Sequence, residues 1–232
     1  MKLILKIYSE SLAIDKKLVA AVIPFFNPEN IFCKVVQDTL PFVDELVLVN
    51  DGSTQSFDYS LFADSKIHLI HFETNKGKGT ALRAGISKAL SLGTNYIITL
   101  DSDYQHEPKY IPLFVQALER SQFVIGKRNI SLREMPFMRV LSNTITSKVL
   151  SIKTKQNILD SQSGFRGFDA SIIQDILPDT TGFEAESEMI LRVAKKGIQI
   201  SFIDISTKYD NQKSSIKALD VIPKFIKVIL KY

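Results

Sequence analysis

Residues 66–100 decide the fold class of this chain, and they read KIHLIHFETNKGKGTALRAGISKALSLGTNYIITL. A short apolar run at 66–72 is followed by a segment of helical period at 78–92, which Gly93 ends, and by a second apolar run at 95–100. Two strands joined by a helix are the unit of a parallel sheet, because parallel neighbours need a crossover connection. The stretch therefore predicts an α/β fold.

The same alternation extends to both sides of this stretch and predicts further strands at 18–23, 45–50 and 122–125. Beyond residue 126 we expect a long basic helical segment at 133–152, a glycine-containing segment at 161–168, a helix at 183–196 and a strand at 198–205. No segment has the composition of a linker. We predict one domain over residues 1–215, with a mainly parallel sheet flanked by helices, and an amphipathic helical tail at 216–232.

Composition excludes several classes of protein. With 45% hydrophobic and 23% charged residues, the 232-residue chain has globular proportions. Its single cysteine, Cys33, rules out an intrachain disulfide framework and suits a reducing compartment. No apolar run has the length of a signal-peptide core or approaches the roughly 18 residues of a membrane span. We therefore expect a cytoplasmic protein.

Three of the predicted strands end in polar residues. These ends read PFFNPE at 24–29, NDGST at 50–54 and DSDYQHEP at 101–108. Ligands of an open parallel sheet bind beyond the carboxyl ends of its strands. The three segments should therefore converge on one cleft.

Asp101 and Asp103 form the sharpest pair within these segments. Two carboxylates leaving a buried strand, with Gln105 as a further oxygen donor, suit a divalent cation that also holds a diphosphate. A chain with this many aspartates contains an Asp-x-Asp triplet about once by chance. A solvated turn in which Asp101 caps the next helix is the alternative.

Other candidates have equally plain alternatives. The segment NKGKGT at 75–80 suits either a phosphate held at a helix N-terminus or a tight turn. Asp51 has the character of a base or a ribose acceptor, but its neighbours also form an ordinary turn sequence. Glu188 and Arg192 are spaced as an ion pair on one helix.

Six motifs in order carry a resemblance to a known family. They are PFFNPE at 24–29, VNDGS at 49–53, NKGKGTA at 75–81, LDSDYQHEP at 100–108, GKR at 126–128 and SGFR at 163–166. Together they resemble the family 2 glycosyltransferases of GT-A fold, in the branch of dolichyl-phosphate mannose synthase and other polyprenyl-phosphate glycosyltransferases. The resemblance covers about residues 17–215.

The resemblance implies a set of site residues. Those bordering the nucleotide would be Pro24, Phe25, Asn27, Glu29, Asp51, Ser53, Lys78 and Ser102. Mg²⁺ or Mn²⁺ would be bound by Asp101, Asp103 and Gln105. The catalytic residues would be Asp103, Arg128, Arg139, Arg166 and Glu188, with the arginines, Ser142 and Asn143 facing an acceptor phosphate. The sequence departs from the family pattern at Pro28, and at Lys208 and Lys213, where an arginine is common.

The implied reaction is a displacement at the anomeric carbon of a nucleoside-diphosphate sugar. A sugar hydroxyl needs a carboxylate base to attack, whereas a polyprenyl phosphate is already largely ionised, with a second pKa of about 6. The segment 127–155 favours the phosphate acceptor, since it carries seven Lys and Arg residues against Glu134 alone. The chain has no Trp and so lacks the Gln-x-x-Arg-Trp motif of processive polysaccharide synthases.

Two other functions stay open. In the first, the enzyme transfers the sugar to a hydroxyl group of a glycan, with Glu188 or Asp160 as the base. In the second, the chain is a non-catalytic subunit that binds a nucleotide sugar. The tail interleaves lysines with apolar residues, which suits a helix that lies on an anionic membrane surface. The same helix could instead pack on the body of the protein or on a membrane subunit. We expect a peripheral protein on the cytoplasmic face of a membrane, with no nucleic-acid partner.

Overall fold

The structure is a computed structural model that describes residues 16–55, 62–129, 137–207 and 218–232. Within these ranges the strands are β1 Val19–Phe25, β2 Glu45–Asn50, β3 Ile67–His71, β4 Tyr96–Thr99, β5 Phe123–Arg128, β6 Arg166–Asp169 and β7 Ile200–Ile205. The helices are α1 Ile31–Thr39, α2 Lys78–Ser91, α3 Ile111–Leu118, α4 Phe137–Thr154, α5 Ile173–Ile176, α6 Ala185–Lys195 and α7 Ala218–Lys231. Arg133, Glu134, Lys208 and Lys213 lie outside the described residues.

All seven described strands form one sheet, in the order β3-β2-β1-β4-β6-β5-β7. β6 pairs antiparallel with β4 and β5, and the other strands run in one direction. Helices α1 and α3 cover one face of the sheet, while α2 and α4–α7 cover the other. The predicted single-domain, mainly parallel α/β architecture is confirmed.

The sequence did not predict β6, which begins within the segment 161–168 and ends at Asp169. Its four residues, Arg-Gly-Phe-Asp, carry neither an apolar run nor a period of two. The strand forms because α3 packs closely on it. A Cβ on Gly167 would lie only 3.1 Å from side-chain atoms of Leu118 and Phe114. Tertiary packing therefore creates a strand that local sequence does not indicate.

Two helices present apolar side chains to the outside. α4 buries Asn143 and Ser147 against the body but leaves Met138, Leu141, Ile145 and Ile152 exposed. α7 packs on α6 through the buried Val228 and leaves Ile222, Ile226 and Leu230 exposed. In the described part of the chain, no helix combines the length and apolarity needed to cross a bilayer.

Candidate active site

The carboxyl ends of β1, β2 and β4 meet at one edge of the sheet. Phe25 pairs with Asn50, and Val22 pairs with Thr99 at the end of β4. The segments that follow these strands are therefore neighbours, as their sequences led us to expect. This edge holds the carboxylates and cations described next.

Lys78, the first residue of α2, joins two carboxylates from different parts of the fold. Its Nζ lies 2.6 Å from Oδ1 of Asp101 and 2.8 Å from Oε1 of Glu186 on α6. Burial alone would lower the pKa of Lys78, but the two carboxylates outweigh it and raise that pKa. Burial would likewise raise the pKa of Asp101, but the charge of Lys78 lowers it. Both groups are therefore charged at neutral pH.

Asp103 lies in the turn that follows Asp101. Burial and the negative charge of Asp101 raise the pKa of Asp103 to about 6. Its Oδ1 accepts a hydrogen bond of 3.0 Å from the backbone N–H of Gln105, across Tyr104, whose φ is 58°. Ser102 and Gln105 are half-buried in the same turn.

The residues of this turn fit a divalent cation. The described residues contain no group of three His, Cys, Asp or Glu side chains that would form a complete cage. However, Mg²⁺ is commonly bound by one or two carboxylates together with substrate phosphates. Two carboxylates whose mutual repulsion raises a pKa suit this mode of binding, because a cation would remove the repulsion.

The Asp51 carboxylate binds the backbone of the segment that leads into α2. Its two carboxylate oxygens accept hydrogen bonds from the N–H groups of Lys76, at 2.7 Å, and Gly77, at 3.0 Å. Burial raises the pKa of Asp51, although these bonds oppose the shift. These N–H groups, and that of Gly79, which donates to Thr181 O, already have acceptors within the protein. The glycines of 75–80 therefore serve close packing instead of the phosphate loop that we considered.

The end of β1 builds a second polar corner around Asn27. The Asn27 N–H donates to Oγ of Ser53, and its Oδ1 accepts from the N–H of Thr54, both at 2.8 Å. Pro24 is buried within β1, and the ring of Phe25 packs 4.5 Å from that of Phe32. Glu29 is exposed. Of the predicted nucleotide-binding residues in this corner, Asn27 and Ser53 are thus brought into contact.

Arg128, at the end of β5, forms a two-pronged ion pair with Asp160. Its Nε and Nη2 lie 2.7 Å and 2.9 Å from the two oxygens of the fully buried Asp160. The charge of Arg128 also contributes to lowering the pKa of Asp101, so the Arg128–Asp160 pair lies near the contact between Asp101 and Lys78. Arg139 is half-buried and forms no hydrogen bond or ion pair with the residues that the structure describes.

Arg166 differs from the other arginines, because its guanidinium is buried. It donates to the main-chain carbonyls of Ser161, Ser163 and Glu186. With 1% of its surface exposed, Arg166 holds the segment 161–165 against α6. This geometry gives Arg166 a structural role instead of the expected contact with an acceptor phosphate.

Glu188 is also fully buried and has no access to the cleft. It accepts hydrogen bonds from the N–H groups of Asp179 and Thr180, from Arg192 and from the Tyr232 hydroxyl. Burial raises the pKa of Glu188, but these hydrogen bonds dominate and lower it to about 2. The expected catalytic role does not fit this geometry, and Glu186, two residues earlier, is the helix carboxylate that reaches the site.

Sequence reasoning missed three further features of the site. The sequence does not single out Glu186, because three glutamates fall within the helix predicted at 183–196 and nothing local tells them apart. The position of Gly164 is set by Asp101, since a Cβ there would lie 2.3 Å from Oδ2 of that residue. His106 is buried, which lowers its pKa to about 4, and its Nδ1 has no hydrogen-bond partner among the described residues.

Comparison with known proteins places this geometry in a family. The model of glycosyl transferase family 2 matches residues 20–177. An uncharacterized protein of Methanocaldococcus jannaschii is 32% identical, over 91% of this chain and 97% of its own length.

Two named relatives act on lipid phosphates. The UDP-N-acetylglucosamine–dolichyl-phosphate N-acetylglucosaminyltransferase of Methanococcus voltae is 27% identical, over 83% of this chain and 86% of its own. The undecaprenyl-phosphate mannosyltransferase of Micrococcus luteus is 27% identical, over 74% of each chain.

A solved structure shares the fold. It is that of glucosyl-3-phosphoglycerate synthase from Mycobacterium tuberculosis in complex with Mg²⁺ and UDP, with a TM-score of 0.73 and 18% identity, over 97% of this chain and 82% of the other. The chain therefore belongs to glycosyl transferase family 2, in the branch that resembles the polyprenyl-phosphate transferases, and it is a glycosyltransferase.

Proposed function

We propose that the protein transfers a hexose from a nucleoside-diphosphate sugar to a polyprenyl phosphate, with Mg²⁺ or Mn²⁺ at Asp101 and Asp103. The choice of acceptor rests on one observation: Asp160 and Glu188, the two carboxylates that we considered as bases, are both engaged by other groups of the protein. Asp160 forms an ion pair with Arg128, and Glu188 accepts hydrogen bonds from four different groups. An ionised lipid phosphate needs no base, so engaged carboxylates do not hinder it.

The donor side of the reaction uses the edge beyond β1, β2 and β4. Asn27 and Ser53 form one corner for the nucleoside, while Lys78 places a cation beside Asp101. Asp101 and Asp103, with Gln105 as a further oxygen donor, would hold a divalent cation, which would supply positive charge to the departing diphosphate. Lys78 adds a fixed charge to the same region and keeps Asp101 ionised.

The acceptor side uses the arginines at the other border of the cleft. Asp160 fixes the plane of the Arg128 guanidinium, and a guanidinium fixed in this way is suited to orienting a phosphate. Arg139, on the first turn of α4, would add a second cation. Both named relatives transfer sugars to polyprenyl-type phosphates, which supports an acceptor of this class.

A membrane surface is the natural location for such an acceptor. Met138, Leu141, Ile145 and Ile152 lie on one side of α4 at a spacing of three, four and seven residues, and 39–73% of the surface of each is exposed. We define these four residues as the α4 stripe. The neighbouring Arg139, Lys148 and Lys153 give the same helix a positive charge that matches an anionic bilayer. We therefore include peripheral attachment to the cytoplasmic face of a membrane in the proposal.

One observation favours a second candidate, the glycosylation of a sugar hydroxyl. Glu184, just before α6, is 6% exposed, and its Oε2 has no hydrogen-bond partner among the residues described. A buried carboxylate oxygen of this kind is costly unless a ligand group binds it. In this alternative Glu184, and neither Glu188 nor Asp160, would be the base.

Thermal stabilisation tests the donor and metal parts of the proposal. A panel of GDP- and UDP-sugars with Mn²⁺ should raise the Tm of the protein, because a bound ligand stabilises the folded state by mass action. Asp103→Ala should abolish the increase that depends on Mn²⁺. Asp175→Ala, which removes an exposed carboxylate paired with Lys196, is the matched control and should keep it. A Tm that no nucleotide sugar changes would contradict the proposal.

A further inference from the structure

The loop of residues 178–182 connects two parts of the molecule that carry different functions in the proposal. On one side it meets a network of α6 and α7 centred on Glu188. Oε2 of Glu188 accepts from the N–H groups of Asp179, at 3.0 Å, and Thr180, at 2.9 Å. Oε1 accepts from Arg192 Nη2 and from the Tyr232 hydroxyl, each at 2.8 Å. One buried carboxylate thus joins the loop to both helices.

The residues around Tyr232 strengthen this junction. Arg192 and Lys231 both form ion pairs with the Asp179 carboxylate. The ring of Tyr232 lies under the cations of Arg192 and Lys195, each 5.5 Å from its centre. The end of α7 is therefore fixed to the start of the loop by charge and by packing.

On its other side, the loop closes over the first turn of α2. Thr181 O accepts a hydrogen bond of 2.8 Å from the N–H of Gly79, and Pro178 O accepts one of 3.1 Å from Arg83. A Cβ on Gly77 would lie 2.4 Å from Thr181 O, and a Cβ on Gly79 would lie 2.4 Å from Thr180 O. The contact is so close that glycine is required at both positions, and a shift of the loop must move this turn.

The first turn of α2 is the part of the helix that reaches the site. It carries Lys78, whose Nζ contacts Asp101 and Glu186. The N–H groups of Lys76 and Gly77, directly before it, hold the Asp51 carboxylate. The position of this turn therefore determines where a cation and a carboxylate of the donor site lie.

We propose that Glu188 and Tyr232 are positioning residues for the donor site, which hold the 178–182 loop against the first turn of α2 and so fix Lys78 and Asp51. They act through the loop and touch no substrate. This inference rests on the proposed function in one respect, that Lys78 and Asp51 border the donor nucleotide. It gives Glu188 a role in donor binding instead of in the chemical step.

Tyr232→Phe is the variant that isolates this role. It removes the hydroxyl that donates to Glu188 and keeps the ring beneath the cations, so the fold should survive. Tyr96→Phe is the matched control: Tyr96 is a buried residue of β4 that pairs with Asp169, at the end of the strand away from the cleft. Glu188→Gln is a second variant, in which an uncharged amide replaces the carboxylate.

Two measurements on the full chain test the proposal. Hydrogen exchange should become faster at residues 178–182 and 76–80 in Tyr232→Phe, but not in Tyr96→Phe. In the presence of Mn²⁺, the Kd for UDP or GDP, whichever the wild type binds, should rise about threefold to tenfold, as for the loss of one hydrogen bond. In turnover the same rise should occur in KM for the donor, with kcat within about twofold of wild type.

The outcomes separate this inference from the proposed function. Faster exchange in the loop with an unchanged Kd would overturn the positioning role, and so would unchanged exchange at residues 76–80. A decrease of kcat without a change in KM in Glu188→Gln would assign Glu188 to the chemical step and overturn the inference. If the wild type bound neither nucleotide, the proposed function would fail, and exchange at residues 76–80 would still decide whether the loop holds α2.

Discussion

At the scale of single residues, the environment of a side chain decides its role more than its type. Glu186 and Glu188 are two residues apart on α6, yet one contacts Lys78 and the other is enclosed by donors from α7 and the 178–182 loop. The sequence shows two glutamates with helical spacing and no sign of which one faces the cleft. Asp101 was easier to predict, because a strand end fixes its place.

Glu188 should make stability depend on acid pH in a defined direction. Its pKa is lowered from 4.5 in the unfolded chain to about 2 in the folded protein. A lowered pKa contributes stability that is complete above about pH 4.5 and is lost as the pH falls through 2. In denaturant unfolding, the difference in free energy between wild type and Glu188→Gln should shrink by roughly 2 kcal/mol from pH 6 to about pH 2.5.

Glu119→Gln, which changes an exposed glutamate, is the control for this experiment. Its difference from wild type should vary far less over the same interval. If the Glu188→Gln difference were equally constant, the hydrogen bonds assigned to the Glu188 carboxylate would be wrong.

At the scale of elements, the start of α2 shows how a glycine can be read in two ways. The motif NKGKGT suggested a phosphate loop, because glycines and lysines at a helix N-terminus often bind anions. The structure uses the same glycines to admit the carbonyls of Thr180 and Thr181. The partner loop is about a hundred residues away in the chain, so no local pattern reveals it.

Gly79→Ala tests this contact. Alanine is favoured by about 1 kcal/mol over glycine inside a helix, so any loss of stability must come from the clash of the new Cβ with Thr180 O, the Cβ of Ala185 and the carbonyl carbon of Thr181. We expect denaturant unfolding to show a net loss of roughly 1–3 kcal/mol and calorimetry to show weaker nucleotide binding. Gly85→Ala, in the same helix, clashes with Val22 instead and should lose stability without losing affinity. If Gly79→Ala bound the nucleotide as tightly as the wild type, the contact between α2 and the 178–182 loop would not position the donor site.

The α4 stripe leads to a prediction about membranes. Ile145→Ser changes a side chain that is 53% exposed, so it should leave the Tm nearly unchanged. Binding to vesicles that contain anionic lipid, measured by sedimentation, should weaken roughly tenfold if this side chain enters the bilayer. Leu113→Ser, 44% exposed on α3 at the other face of the sheet, should have no effect.

Ile226→Ser makes the same test on α7, where the exposed fraction is 50%. Loss of binding in this variant as well would show that both helices contact the membrane. If neither Ile145→Ser nor Ile226→Ser weakened binding, the two apolar surfaces would need another partner.

At the scale of the whole molecule, the alternation of apolar runs and helical segments predicts the first half of the sheet well, because β1, β2 and β4 are almost entirely buried and therefore read as apolar runs. Strands β1–β4 lie within two residues of their predicted limits. The second half was harder to predict, since β6 is antiparallel and short, and its place depends on contacts with β4 and β5. The sequence therefore gives good guidance to the donor edge and poorer guidance to the arginines beyond it.

Transfer assays with a choice of acceptors test the central claim most directly. The purified protein, supplied with Mn²⁺ and the nucleotide sugar that stabilises it, should glycosylate a short polyprenyl phosphate. The same lipid as a free alcohol isolates the contribution of the phosphate, and a soluble saccharide supplies hydroxyl acceptors. We predict turnover with the polyprenyl phosphate alone. Turnover with the saccharide but not with the lipid phosphate would contradict the proposal and would favour the reaction in which Glu184 acts as a base.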